Sequence, residues 1–240
     1  MSRIGAVTRR ELASYFDSPI AYVFLAVFVG ASLFAFFNVG GFFARGQADL
    51  RGLFDQMPVL MLLLVPALTM RLWAEERKQG TIELLLTLPA RDHETVIGKF
   101  LASWILLGVA LGLTSTLPLT VEILGNLDWG PVVGGYLAAM LLGAAYLAVG
   151  QLVSATTENQ ILAFIMAFVV CLVLYGIGSE SITGVLPDRT GALLRAFGSG
   201  SRFASVARGV LDLRDLLYYV SLTAFFLACS VFALRARRWG

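Results

Sequence analysis

A charged interruption separates two long apolar runs in the first half of the chain. Its sequence is Arg71-Leu72-Trp73-Ala74-Glu75-Glu76-Arg77-Lys78-Gln79-Gly80-Thr81-Ile82-Glu83-Leu84-Leu85-Leu86-Thr87-Leu88-Pro89. Arg71 and Glu75 have the i, i+4 spacing of a helical ion pair, so the preceding apolar run is predicted to continue as a charged helix. Gly80 permits a turn, Thr81 can cap a helix and Pro89 can end one, so a second, short helix is predicted between them.

Composition places the chain in a membrane. Of its 240 residues, 58% are hydrophobic and 14% are charged, whereas about 25% are charged in an ordinary soluble domain. A bilayer core about 30 Å thick takes about 20 apolar helical residues. The sequence therefore predicts an all-α integral membrane protein with six transmembrane helices. The predicted spans are Ile20–Phe37, Phe54–Trp73, Val96–Leu119, Pro131–Val153, Gln160–Ile177 and Leu216–Leu234.

Two further segments are predicted to lie outside these spans. Residues 2–17 place apolar side chains on one arc and arginines on the other, which is typical of an amphipathic interfacial helix. Glu11 lies on the apolar arc, where it either reaches out to water or meets a protein partner. Residues 179–215 are too charged to cross lipid, since each central charge costs about 2.5 to 3.5 kcal/mol. They are predicted to form a re-entrant outer segment before the last span.

The distribution of lysine and arginine predicts the orientation. Six spans place both termini on the same side of the membrane. With both inside, 11 of the 18 Lys and Arg residues are cytoplasmic, as the positive-inside rule favours. We therefore expect a multi-pass protein of the inner (cytoplasmic) membrane, with the interruption at Arg71–Pro89 in the cytoplasm.

The chain is predicted to be one transmembrane domain covering residues 1–240. Its parts are the amphipathic helix (1–18), spans 1 and 2 (19–73), a cytoplasmic loop (74–94), spans 3 to 5 (95–178), the outer re-entrant segment (179–215), and span 6 with a basic tail (216–240).

Motifs of a membrane enzyme are missing from the sequence. There is no HExxH, GxSxG, CxxC or Walker A pattern, and Gly98-Lys99-Phe100 lacks the glycine and the Ser or Thr of a nucleotide loop. No catalytic residue, metal ligand, directly bound cofactor or nucleic-acid partner is predicted. Glu122 and Glu180 are candidate pathway carboxylates, because an ionisable group within a membrane suggests function.

The stretch Glu75–Pro89 resembles the coupling-helix motif of ABC-2 type transporter permeases. Four weaker stretches agree, and together they resemble the gliding-motility (Gld-type) subgroup over nearly the whole chain. These stretches are Arg9–Leu12, Leu127–Gly130, Ser154–Phe164 and Arg208–Tyr219.

The resemblance implies an exporter subunit that dimerises with itself or with a related permease. The dimer would sit on two copies of a separate ATPase that binds ATP and Mg, with membrane lipid and an envelope accessory protein as further partners. By resemblance, residues 1–18 are the connecting helix, which includes Arg9, Arg10 and Glu11, and residues 74–94 are the coupling loop with its coupling helix. The ATPase-coupling residues implied are Glu75, Glu76, Gly80, Thr81, Glu83, Leu84, Leu85, Leu88 and Pro89.

A second interpretation remains open at the level of sequence. The chain could belong to an ATP-driven envelope complex that anchors, or relays motion to, a periplasmic partner without moving a substrate. Drugs, lipids, polysaccharides and peptides all fit as cargo, and the sequence does not distinguish among them. A membrane enzyme, the third class, has no site to support it.

Overall fold

The computed structural model describes residues 3–78, 80, 91–184, 187–208 and 212–236, and this part of the chain is helical, without strands. The helices are α1 (Arg3–Asp17), α2 (Pro19–Phe34, continued by a π turn over Ala35–Val39), α3 (Phe42–Arg45), α4 (Arg51–Thr69), α5 (Ala74–Lys78), α6 (Asp92–Leu113), α7 (Thr116–Leu124), α8 (Trp129–Thr156), α9 (Gln160–Gly176), α10 (Glu180–Thr183), α11 (Asp188–Phe197), α12 (Ser199–Ala207) and α13 (Leu213–Ala236).

Five helical stretches of the described chain are long and apolar enough to cross a membrane. They are Pro19–Arg45, Arg51–Lys78, Asp92–Leu124, Trp129–Thr156 and Leu213–Ala236. The remaining span expected from the sequence, Gln160–Ile177, forms the apolar helix α9 of 17 residues. At 1.5 Å per residue α9 is about 26 Å long, slightly less than the thickness of a bilayer core. Six crossings therefore stay a prediction, whereas five helices have the required length.

The third of these stretches is not one continuous helix. The α-helix stops at Leu113 and resumes at Thr116. The Thr114 hydroxyl donates to the Leu111 carbonyl at 2.7 Å and contacts the Tyr136 hydroxyl at 3.1 Å. Pro118 lacks the backbone N–H that would bond the Thr114 carbonyl, and its ring crowds that carbonyl, so the helical ladder breaks at this point. The Thr114 side chain, which bonds the preceding turn, competes with the same ladder.

Helix α8 is the centre of the bundle. It packs against α4, α6, α9, α12 and α13, and most of its length is buried inside the chain. Small residues dominate its buried faces, so the backbones of neighbouring helices can approach closely. The C-terminal turns of α8 therefore lie beside several other helices, where they can hold polar contacts.

The segment 179–215 folds back onto the bundle. Its helix α12 buries Ser199, Phe203 and Val206 and packs on α8 and α9. The Tyr146 hydroxyl lies 3.1 Å from the Ser199 hydroxyl, and Tyr219 donates to the Ser199 carbonyl at 2.7 Å. The segment is thus held by short helices and hydrogen bonds, while its position relative to a membrane stays a prediction.

Helix α1 lies against the first turns of α6. A Cβ at Gly98 would lie 2.7 Å from the Cβ of Val7, so only glycine at this position permits the close contact of the two helices. The Tyr15 hydroxyl lies 2.9 Å from that of Ser103. The amphipathic helix expected at the N-terminus is thus packed on a spanning helix, and its interfacial placement stays a prediction.

Candidate functional site

Lys99 is a buried cation on α6, beside the glycine that admits α1. Its side chain is 2% exposed. A lysine is almost never fully buried unless it is paired, because an isolated ammonium group loses its hydration. The partners of Lys99 therefore determine what this end of the bundle can do.

Two carboxylates from different helices hold the ammonium group. Lys99 Nζ donates to Glu11 Oε2 of α1 at 3.0 Å and to Glu76 Oε1 of α5 at 2.8 Å. The same nitrogen lies 5.0 Å from the ring centroid of Trp73, within the range of a cation–π interaction. We call Glu11, Glu76 and Lys99 the charged junction. It joins the N-terminal helix, the end of the second spanning stretch and the start of the third.

Electrostatics keep Glu11 ionised within this junction. Burial of the carboxyl raises its pKa, but the attraction of Lys99 and the hydrogen bonds from Arg10 and Lys99 outweigh that effect. The net result is a pKa for Glu11 below its ordinary value of 4.5. A carboxylate at neutral pH thus matches the ammonium. Glu11 pairs with Lys99 of its own chain, a contact that neither sequence alternative, water or a protein partner, describes.

The end of α8 holds the other side of α5 by hydrogen bonds at Ser154 and Ala155. Ser154 Oγ accepts from the backbone N–H groups of Trp73 at 3.1 Å and Ala74 at 3.2 Å. It also donates to the Met70 carbonyl at 3.1 Å. Arg77 donates to the Ala155 carbonyl at 2.9 Å. Helix α5 is thereby fixed to α8 as well as to α6.

A cavity of about 330 Å³ adjoins the charged junction between α1, α4, α5 and α6. Glu11, Glu76 and Lys99 line it together with Arg71 and Glu75. The floor is therefore charged, and water or a polar headgroup can enter it. Among the described residues, no group of three or more His, Cys, Asp or Glu side chains is placed to hold a metal ion.

The residues predicted to couple to an ATPase fall into two sets. Arg71 and Glu75 form the expected i, i+4 ion pair at 2.9 Å, and Gly80 has φ +69°, in the left-handed region that favours glycine. Glu76 contacts Lys99 within the chain. The other coupling residues lie outside the described residues: Thr81, Glu83, Leu84, Leu85, Leu88 and Pro89.

The connecting-helix arginines and the pathway candidates have different surroundings. Arg10 donates to Glu11 at 2.9 Å, and Arg9 is exposed. Glu122 accepts from the Leu127 backbone N–H at 3.1 Å and so closes the turn between α7 and α8. Glu180 begins α10, and its side chain lies outside the described part of the chain. The structure thus gives Glu122 a local structural contact.

Sequence reasoning missed the importance of Lys99. In the sequence analysis it belongs to an incomplete nucleotide loop and to the 11 cytoplasmic cations, and yet it is a lone cation near the start of an apolar run. Glu11 is likewise a lone anion on an apolar arc. Two uncompensated charges of opposite sign on two apolar faces are expected to pair when they are buried. That complementarity was the available indication of the junction.

Comparison with known proteins identifies the family. The model of the ABC-2 family transporter proteins matches residues 31–193, which is more than half of the 240 residues and includes Glu76 and Lys99. No curated protein matches the chain. The family and the membrane-length helices make this a multi-pass membrane protein that works as a transmembrane subunit with an ABC ATPase. The chain belongs to the ABC-2 transporter family.

Proposed function

We propose that this chain is the permease subunit of an ABC exporter and that ATP hydrolysis by a separate ATPase moves its spanning helices. The observation that carries the proposal is the buried Lys99, which binds α1 and α5 to the start of α6 at 2.8 to 3.0 Å. A force applied to the loop after α5 would thereby reach several helices together.

Transmission would begin in the segment around Thr81–Pro89, docked on the ATPase. Displacement of that segment moves α5, to which it is joined through Gly80. Glu76 passes the displacement to α6 through Lys99, and Ser154 passes it to α8 through the Trp73 and Ala74 backbone. Packed helices of this kind shift between discrete arrangements rather than deforming continuously. Closure of the ATPase thus becomes tilting of the spans.

Separating the helices that meet at the charged junction costs free energy, so the junction can hold them together while they move. Removing one partner from a buried ion pair costs about 3 to 5 kcal/mol, because it leaves an uncompensated buried charge. Lys99 has a carboxylate on either side, so separation of α1 or α5 from α6 exposes such a charge. The helices are therefore expected to move as one body rather than to slide past each other.

The assembly that we propose is a dimer of this chain, or a dimer with a related permease, on two ATPases that hold ATP and Mg. The Lys and Arg distribution supports an inner-membrane location with both termini in the cytoplasm. In this orientation α5 faces the cytoplasm and the segment 179–215 faces outward near the exit. An envelope accessory protein would bind on that outer side.

Charge reversal at Glu83 tests the proposal. Glu83→Lys is expected to reduce the amount of ATPase that co-purifies in mild detergent, and with it ATP turnover. Asp49→Lys is the matched control, because Asp49 lies just before the start of α4. The 19 residues of α4, about 28 Å of helix, separate it from the end of α4 that leads to α5. Unchanged assembly and turnover in Glu83→Lys would contradict the proposed docking.

Flux measurements separate export from the mechanical alternative. In vesicles containing the reconstituted complex, an exporter consumes ATP while substrate crosses the membrane, and ATP turnover rises when substrate is added. A force-relaying complex shows ATP turnover that responds to an envelope partner but to no substrate. The second result would replace the exporter proposal with the relay interpretation.

A further inference from the structure

An apolar groove of about 360 Å³ runs between α2 and α4. Its walls are the side chains of Val23, Phe24 and Val27 on α2 and of Leu64, Ala67 and Leu68 on α4. Val23 is 60% exposed and Val27 is 47% exposed, so the groove opens to the surroundings of the bundle. Within a membrane its surroundings are lipid chains.

The apolar groove leads into the charged cavity. Ile20, Leu68 and Arg71 line both spaces. Arg71 therefore marks the border between an apolar channel and a polar floor that also carries Glu75. A molecule that fills both spaces must have an apolar tail and a polar head at neighbouring positions.

The dimensions fit the upper part of one acyl chain. The groove follows α2 from Pro19 to Val27, which is about 12 Å of helix at 1.5 Å per residue. Half of a bilayer core is about 15 Å thick. A lipid tail lying in the groove would thus be covered for most of its depth in one leaflet, with its head at the level of Arg71.

The charges select the headgroup. Arg71 uses Nε and one Nη to bind Glu75 at 2.9 and 3.2 Å, and the guanidinium carries further N–H donors that suit a phosphate. The cavity lining has three carboxylates (Glu11, Glu75, Glu76) against two cations (Arg71, Lys99). Arg10 binds Glu11 at 2.9 Å and balances the third carboxylate, so the charges around the cavity sum to zero. A balanced site disfavours a purely anionic head and favours a zwitterionic one, in which an ammonium group accompanies the phosphate.

We infer that the apolar groove and the cavity floor together bind one phospholipid of the bilayer with a phosphoethanolamine-type headgroup. Its phosphate contacts Arg71, its primary ammonium faces the carboxylates of the cavity, and one acyl chain packs against Val27, Leu64 and Ala67. Nothing in this assignment depends on transport, because the groove is lined by α2, α4 and the turn after α4. The bound lipid would brace α2 and α4 beside the charged junction.

The test is thermal unfolding of delipidated, purified full-length chain with added lipids of identical acyl chains and three headgroups. The ethanolamine lipid is expected to raise the unfolding temperature more than the choline lipid, which lacks ammonium N–H donors, and more than the anionic glycerol lipid. Equal shifts for the three headgroups would overturn the assignment.

Two variants and their controls locate the effect. Arg71→Ala removes the phosphate contact, and Ala67→Phe fills the groove, so both are expected to lose the ethanolamine-specific shift. Arg45→Ala and Val59→Phe change exposed residues outside the groove and should retain it. Retention of the shift in Arg71→Ala or Ala67→Phe contradicts the site.

A cross-linking measurement keeps the inference testable if a variant does not fold. An ethanolamine lipid with a photoreactive group in its acyl chain is expected to label the α2 and α4 peptides of the wild-type protein. If a second copy of the chain covers the groove, Val23→Cys would instead form a disulfide-linked dimer and the lipid would label other helices. That result would overturn the lipid assignment.

Discussion

Two cations of this protein, Lys99 and Arg202, are largely buried and bind carboxylates at short distance, but they connect the chain differently. Lys99 is 2% exposed and binds Glu11, 88 residues away, and Glu76, 23 residues away. Arg202 is 20% exposed and binds Asp215 at 2.6 Å, only 13 residues away. The first joins three helices, whereas the second holds a short segment to the start of α13.

The difference in sequence separation determines whether each site can carry motion from one helix to another. The Arg202–Asp215 pair, assisted by the Tyr218 ring 4.6 Å from the guanidinium, fixes the local fold of the segment before the last spanning helix. The charged junction links helices that only the tertiary structure brings together. In the sequence, α5 is followed by the segment that is proposed to bind the ATPase. A local pair stabilises one region, while a junction between distant helices can also carry motion between them.

The largest effect is expected for Lys99→Met. The substitution leaves Glu11 and Glu76 facing each other without the ammonium group between them, although Arg10 still binds Glu11. The free energy of unfolding should fall by about 3 to 5 kcal/mol. Unfolding in detergent with increasing denaturant measures it. Lys78→Met, at an exposed position of α5, is the control, and equal losses in the two variants would contradict a stabilising role for the charged junction.

Asp215→Asn should have a smaller effect on the other pair. Asparagine still accepts a hydrogen bond from Arg202, so only the difference between a charged and a neutral acceptor is lost, about 1 kcal/mol. Asp212→Asn is the control, because Asp212 accepts from the Arg214 backbone N–H and asparagine caps equally well. A loss of unfolding free energy larger than that of Lys99→Met would show that the Arg202–Asp215 pair stabilises the fold more than the charged junction does.

The substitution Glu11→Gln tests the charged junction through the pH dependence of the free energy of unfolding. The folded pKa of Glu11 lies below 4.5, so its ionised form stabilises the fold above that value, and this contribution disappears as the pH falls through the lowered pKa. At neutral pH the variant should lose about 1 kcal/mol, since the amide oxygen still accepts from Lys99.

Below pH 4.5 the difference between Glu11→Gln and the wild type should shrink. Unfolding curves at several pH values measure this, with Asp17→Asn, an exposed change on the same helix, as the control. A constant difference over that range would show that Glu11 is not ionised in the fold.

The smallest effect is expected for Glu75→Gln. The Arg71–Glu75 pair is 36% and 34% exposed, and such i, i+4 pairs contribute about 0.3 to 0.5 kcal/mol. High salt should reduce the difference from the wild type further. A loss of unfolding free energy above about 1 kcal/mol would show that this partly exposed pair stabilises the fold as a buried pair does.

Much of the fold follows from the sequence because hydropathy is a local property. The apolar runs, the N-terminal amphipathic helix and the Arg71–Glu75 spacing each involve neighbouring residues, and helices occupy most of these positions. Arg71 itself lies in the turn between α4 and α5, where it still pairs with Glu75. The break at Thr114 also has a local signal, because Pro118, four residues later, has no backbone N–H to donate to the Thr114 carbonyl. The predicted span Val96–Leu119 nevertheless contains no break there, and in this detail the prediction was wrong. The family resemblance is confirmed at the level of ABC-2 transporters, while the Gld-type subgroup stays a prediction.

The charged junction could not be derived in the same way. Glu11, Glu76 and Lys99 meet only because α1, α5 and α6 pack at one end of the bundle, with Gly98 admitting the backbone of α1. From the sequence each residue has an ordinary interpretation as a charge near a membrane surface. Their common burial is a property of the assembled bundle.

The most direct test of the account is ATP turnover by the reconstituted complex with its ATPase, compared for wild type, Glu11→Gln and Asp215→Asn. Glu11→Gln weakens the charged junction away from the proposed docking loop. The account predicts that all three assemble equally with the ATPase, that Glu11→Gln lowers turnover several-fold, and that Asp215→Asn stays near wild type. Equal turnover in Glu11→Gln and wild type, with equal assembly, would contradict transmission through the junction.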